Sequence, residues 1–282
     1  MRLDAHQHFW HYTPANFPWI TGTAMEPLRR DYLPEDLEPL LKQTGFDGSI
    51  AVQAQQTTDE TAWLLELARH YPFIRGVVGW VDLRSETVGD DLTRFTTHSR
   101  LVGVRHIVHD EPDDEFVLRA AFQRGIARLR DHGLTYDLLL FPQHLPPATR
   151  FVDRFPDQPF VLDHIAKPRI REGVFAPWED DLRRLAERKN VSCKLSGMVT
   201  EAKLRAWRPE DFHRYLDIVV DAFGTERLMI GSDWPVCTLS SDYAATMSIV
   251  TDYVARFAPA VRDAILGGNG ARIYSLPSAG TP

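Results

Sequence analysis

Eight short apolar runs, at 2–8, 48–54, 74–82, 101–107, 134–140, 159–165, 191–197 and 227–233, set the first limit on what this chain can fold into. Between most of them lie segments with helical periodicity and polar faces, among them 59–70, 114–132, 177–189 and 209–223. Runs such as Ile74-Arg75-Gly76-Val77-Val78-Gly79-Trp80-Val81 lack polar/apolar alternation, as expected of parallel strands covered on both faces. Eight such units within 282 residues predict an α/β fold, a closed (β/α)8 TIM barrel, with a doubly wound open sheet as the alternative. No repeat, low-complexity tract or linker interrupts the pattern. The expectation is one barrel domain over 1–282 with a frayed tail at 277–282.

No apolar run is long enough to span a bilayer, and the N-terminus enters the first strand without a signal peptide, so a cytoplasmic protein is expected. Cys193 and Cys237 each lie within or beside an apolar strand, which fits free buried thiols rather than a disulfide framework. The net charge of -7 with no Lys/Arg block leaves no stripe for nucleic acid. The expected partner is a small molecule, and oligomeric state stays open.

Three strand ends carry chemistry. Asp4-Ala5-His6-Gln7-His8 places His6 and His8 on one face of a regular strand, with Asp4 one step below. Phe160-Val161-Leu162-Asp163-His164 and Leu228-Met229-Ile230-Gly231-Ser232-Asp233 end in His164 and Asp233. In a parallel barrel, catalytic groups sit at the C-terminal strand ends. The segment 9–31 is too long for a simple turn and holds Trp10, Tyr12, Phe17 and Trp19, whose rings suit either stacking on a ligand or packing the loop onto the barrel.

His6-Gln7-His8, Asp163-His164-Ile165-Ala166-Lys167-Pro168 and Gly231-Ser232-Asp233-Trp234-Pro235, in this order, resemble the amidohydrolase superfamily, specifically its "amidohydrolase 2" lactonase branch, over about Asp4 to Tyr274. That branch includes sugar-lactone hydrolases, such as fuconolactonases and rhamnonolactonases, and a pyrone dicarboxylate lactonase. Val104-Arg105-His106 followed by His109-Asp110-Glu111-Pro112 is most similar to the sugar-lactonase members, and the resemblance implies that Arg105, His106 and His109 border the substrate. Arg105 could equally close a salt bridge inside the barrel.

The chain departs from binuclear members: its fourth strand offers Arg105 and His106, and its fifth has no histidine. One divalent ion at most, zinc or manganese, is expected on His6, His8, His164 and Asp233, and the resemblance implies that activity need not depend on it. No organic cofactor is expected.

The expected reaction opens the ring ester of an aldono-lactone in sugar catabolism. Asp233 is the candidate general base, and His6, His8 and His164 polarise the carbonyl directly or through a metal. Protonated Asp233 or His106 would serve the leaving oxygen. Gln53, Arg105, His106, Tyr136 and Lys194 are candidates for substrate hydroxyls, with Trp10, Trp80, Trp178 and Trp234 as stacking walls. Lys194, mid-strand, needs a carboxylate partner such as Asp4. Two other functions compete: a metal-dependent decarboxylase with Arg105 and Lys167 as carboxylate clamps, and a sugar-binding barrel without catalysis. No Gly-x-Ser-x-Gly elbow or phosphate cradle is present.

Overall fold

The computed structural model describes residues 1–276. The expected tail at 277–282 lies outside the described residues. Eight parallel strands, β1 (Leu3–Gln7), β2 (Gly48–Val52), β3 (Ile74–Gly79), β4 (Leu101–His106), β5 (Thr135–Leu138), β6 (Phe160–Leu162), β7 (Val191–Leu195) and β8 (Leu228–Ile230), pair in sequence order. Each falls inside one of the apolar runs. The barrel closes just above the strands, where the Asp233 amide donates to His6 O at 2.8 Å and the His8 amide to Trp234 O at 2.7 Å.

Helices follow the strands: α1 (Pro34–Thr44), α2 (Thr58–His70), α3 (Val88–Thr96), α4 (Ala120–Leu129), α5 (Leu145–Val152), α6 (Trp178–Ala186), the short α7 (Met198–Glu201), α8 (Glu210–Phe223) and α9 (Tyr243–Val254). Their apolar stripes bury Leu64, Ile126, Leu182 and Leu216 against the outer strand faces, each side chain contributing about 2 kcal/mol by leaving water. The 114–132 segment is not one helix. Phe116–Leu118 forms a separate turn before α4, and the break lets Phe116 lie flat on His106 with ring centroids 4.8 Å apart.

Inside the barrel, the lower half is an apolar plug. Leu3 and Ala5 meet Ile50, Val78, Val161 and Met229, with Tyr274 entering from below. The upper half is ionic. Lys194 on β7 lies 2.6 Å from Asp137 and 2.9 Å from Asp163, and Arg105 on β4 lies 3.0 Å from Asp163, all four at most 3% exposed.

The transition passes through a bulge. Register slips between Asp4 and Gln7, one extra residue on β1 that turns the strand over. Leu3 and Ala5 therefore face the plug, while His6 and His8 also face inward. Asp4 does not share their face: it points toward α9, where the Tyr243 hydroxyl donates to its Oδ2 at 3.1 Å. Nor is Asp4 the partner of Lys194, a role taken by Asp137 and Asp163. Among the described residues, no helix is long and apolar enough to cross a membrane.

Candidate active site

Four side chains meet at the barrel mouth. His6 Nε2 and His8 Nε2 are 3.2 Å apart. Asp233 Oδ1 lies 3.3 Å from His8 Nε2 and 3.8 Å from both His6 Nε2 and His164 Nε2. Each imidazole is fixed through its other nitrogen: His8 Nδ1 at 2.8 Å from Val52 O, His164 Nδ1 at 2.9 Å from Ser196 Oγ, and His6 Nδ1 at 3.3 Å from Asp163 Oδ1. A backbone carbonyl accepts from an N–H, so His8 carries a proton on Nδ1 and turns Nε2 toward Asp233.

The backbone is shaped for this convergence. His164, Ile165, Ala166 and Lys167 all adopt left-handed conformations (φ 48 to 59°), as does Asp233 (φ 58°). The Lys167 amide donates to His164 O at 2.8 Å, so one inverted turn carries both side chains to the mouth. A Cβ at Gly197 (φ 63°) would lie 2.5 Å from His164 Nδ1, and one at Gly231 would lie 2.8 Å from His6 Cβ. Both positions must be glycine for the imidazoles to sit where they do.

Burial pushes His6 and His164 well below the ordinary imidazole pKa, leaving them neutral. Burial pushes Asp233 up, but His164, with His8 and Lys167, outweighs it and holds this carboxylate below its ordinary value. Asp163 is likewise ionised, since Lys194, His6 and Arg105 together exceed its desolvation.

These donors fit a divalent ion. Zinc with bonds of 2.0–2.1 Å needs tetrahedral ligand atoms about 3.3 Å apart, close to the 3.2–3.8 Å found here. His6, His8 and Asp233 form one triad of ligand atoms within 4.8 Å of one another, and His6, Asp163 and His164 form another. The 3.2 Å contact between His6 Nε2 and His8 Nε2 is one that a shared proton or a cation satisfies. Arg105 Nη1, 3.3 Å from His6 Nε2, offers that nitrogen a competing donor.

His8, His164 and Asp233 open onto a cavity of roughly 200 Å³ whose lining combines the apolar Trp10, Trp19, Leu139 and Val236 with the polar Arg105, His109, Asp110 and Lys167. Drug-sized ligands occupy pockets of about 300–1,000 Å³, so this one suits a single small ring.

Residues 3–276 match the family model of the amidohydrolases. The chain belongs to the amidohydrolase family. It is 44% identical to an L-fucono-1,5-lactonase of Burkholderia multivorans, covering 98% of this chain and 97% of the relative. It is 36% identical to an L-fucono-1,5-lactonase of Burkholderia ambifaria, covering 98% and 96%. A crystal structure of a Burkholderia multivorans amidohydrolase with bound zinc superposes with a TM-score of 0.94 at 44% identity, covering 98% of this chain and 100% of that one.

Within this amidohydrolase, the residues expected around the substrate divide. His109 lines the cavity, stacked on Phe141 with centroids 4.7 Å apart. Burial, Lys167 and Arg105 push its pKa down to about 3, so it acts as a neutral group. Arg105 lines the cavity and also makes the internal salt bridge, its Nε donating to Gln53 Oε1 at 2.9 Å. Gln53 is thereby committed to Arg105 and to Gln55 O and does not reach the cavity.

His106 and Trp80 do not line the cavity either. Alternation turns His106 outward when Arg105 points in. His106 Nε2 donates to Glu111 Oε1 at 2.7 Å, and Trp80 Nε1 donates to its Nδ1 at 3.3 Å. A role for His106 as donor to the leaving oxygen is therefore excluded by placement.

Tyr136 packs among Phe122, Phe151 and Phe160 on the outer face of β5, not toward substrate. Lys194 is fully buried below the histidines, 3.2 Å from His6 Nδ1. Trp178 is buried and donates to Ile165 O, bracing the inverted turn. Trp234 is buried against Phe9 and Tyr32. Trp10 reaches the cavity but is itself buried, bonded to Arg30 O and packed on Phe17 and Tyr32. Trp19, one of the aromatics noted in the long 9–31 loop, does line the cavity; sequence reasoning missed Asp110 and Ser196, of which only Asp110, inside the quoted His109-Asp110-Glu111-Pro112 segment, had a signal.

Proposed function

We propose that this amidohydrolase opens the ring ester of a sugar aldono-lactone, of the kind named for its relatives, L-fucono-1,5-lactone, to the aldonic acid. The observation that carries the reading is Asp233 Oδ1, ionised and within 3.3–3.8 Å of the imidazoles of His6, His8 and His164, beside a cavity sized for one ring. The 44% and 36% identities to lactonases over nearly whole chains support the substrate class.

In the proposed mechanism, the lactone carbonyl lies over His6, His8 and His164, and Asp233 orients a water beneath it. The water oxygen bonds to C1 as its proton passes to Asp233. His164, whose Nδ1 can accept from the Ser196 hydroxyl and so leave an N–H on Nε2, and the Arg105 guanidinium on the cavity wall stabilise the oxyanion. The C1–O ring bond then breaks, and the proton on Asp233 goes to the departing alkoxide. The resulting carboxylic acid releases its proton to solvent.

His6, His8, His164 and Asp233 would hold one zinc or manganese ion. When bound, such an ion supplies Lewis-acid polarisation of the carbonyl. We hold that ion as an aid rather than a requirement, because Arg105 already offers a fixed cationic donor at His6. We also place the enzyme in the cytoplasm, acting as one barrel domain, a reading supported by two buried free cysteines.

A pH-indicator assay over a panel of aldono-lactones tests the reading with wild type and Asp233→Asn, before and after chelation. Acid release by the wild type, lost about 1,000-fold in Asp233→Asn, is the expected result. No release from any lactone, with zinc or manganese added, would overturn it.

A further inference from the structure

The substrate proposed above is neutral, yet the cavity wall carries an ammonium. Lys167 Nζ is only loosely paired: Glu201 Oε1 lies 3.8 Å away, and the Phe141 ring centroid is 5.7 Å away. The other cation on the wall is already matched, since Arg105 pairs with Asp163 and donates to both oxygens of Gln53. A side chain still 20% exposed on the cavity wall, with its ion pair stretched to 3.8 Å, leaves donors free to turn to an anionic ligand.

The reaction makes such an anion. Ring opening turns a neutral ester into a carboxylate within a cavity that also holds Asp110 and Asp233, two negative groups that repel it. Lys167 stands in the same cavity, on the same turn as His164.

Resting on the lactonase reading, we propose that Lys167 is the recognition residue for the ring-opened product, binding the aldonate carboxylate, with Glu201 as the positioning residue that holds the ammonium while the neutral substrate is bound. This is a division of labour by charge. Aromatic and neutral polar groups bind the lactone, and Lys167 engages only what carries a negative charge. A cation of this kind lowers the energy of the charged state more than that of the neutral substrate.

The test is calorimetric binding of sodium L-fuconate together with the KM for L-fucono-lactone, in wild type, Lys167→Met, Lys167→Arg and Glu201→Gln. Lys167→Met is expected to weaken fuconate binding by at least about 10-fold while the lactone KM stays within about threefold. Lys167→Arg is expected to keep most of the fuconate affinity, which separates loss of charge from loss of packing. Glu201→Gln removes the competing carboxylate and is expected to tighten fuconate binding, an effect a purely structural role would not produce.

Unchanged fuconate affinity in Lys167→Met, equal losses for fuconate and lactone, or no fuconate binding by the wild type would each overturn the proposal. Lys167-dependent fuconate binding in a wild type that hydrolyses no lactone would sink the hydrolase reading and leave the anion site standing.

Discussion

Two strand ends in this molecule carry a pair of histidines, and the pairs come to opposite uses. On β1, His6 and His8 both face the barrel interior and bring their Nε2 atoms within 3.2 Å. On β4, His106 is turned outward under Phe116 and held by Glu111, while His109 returns to the cavity from the following loop. Residue type is the same and so is burial: His6, His8 and His106 are all at most 5% exposed. What separates them is the direction of the strand face and the company each imidazole keeps. His106 has both nitrogens claimed by Trp80 and Glu111 away from the cavity, whereas His6 and His8 bring their Nε2 atoms beside the Asp233 carboxylate at the barrel mouth.

The sharpest way to break this comparison is to make the same change at both ends. His8→Asn is expected to lower kcat about 1,000-fold with the melting temperature nearly unchanged. A loss below about tenfold would remove His8 from the reacting centre.

Next in size is the outward arm of the β1 bulge. Asp4 is fully buried, and burial pushes its pKa from 3.8 up to about 6 against hydrogen bonds from Ser232, His6 and Tyr243. Its pKa is higher folded than unfolded, so the stabilisation belongs to the protonated form: it is full below about pH 4 and lost as pH rises through about 6, a change of about 3 kcal/mol. Asp4→Asn, whose amide can accept from the two backbone amides and donate to the two hydroxyls, is expected to flatten that slope in chemical denaturation. A slope identical to wild type would show that Asp4 does not titrate there.

His106→Asn, the counterpart on β4, is expected to cost about 2 kcal/mol of stability, because it removes a stacked ring and leaves Trp80 and Glu111 without a partner. Its kcat/KM should stay within about threefold, and a hundredfold loss would restore His106 to the mechanism. Smallest of all, His109→Gln keeps a neutral polar group on the wall. The expected change is a KM rise of a few-fold with kcat unaltered, read from steady-state kinetics.

Much of the architecture was legible because parallel strands buried on both faces write themselves as continuous apolar runs, and every strand lies inside such a run. His6, His8, His164 and Asp233 were legible as strand-end residues, and the cavity contains His8, His164 and Asp233. The face of Asp4 was not, because a one-residue bulge changes no composition and still reverses every side chain beyond it. The outward turn of His106 was within reach of the sequence: Arg105 and His106 are neighbours on a strand, and neighbours cannot both face the interior. Gln53, Trp80, Tyr136 and Trp234 have the chemistry to touch a sugar, but contacts from distant segments claim them, and no local pattern records such contacts.

The inverted turn from His164 to Lys167 has a consequence for anyone who would make this protein more robust. Each non-glycine residue held in the left-handed region costs about 1 kcal/mol or more, and Ile165, branched at Cβ, is among the residues least suited to it. Selection for heat tolerance alone will therefore find its gains in loosening these four positions. The same changes would release the turn that aims an imidazole and an ammonium into one cavity, so durability and turnover are set against each other within a single loop.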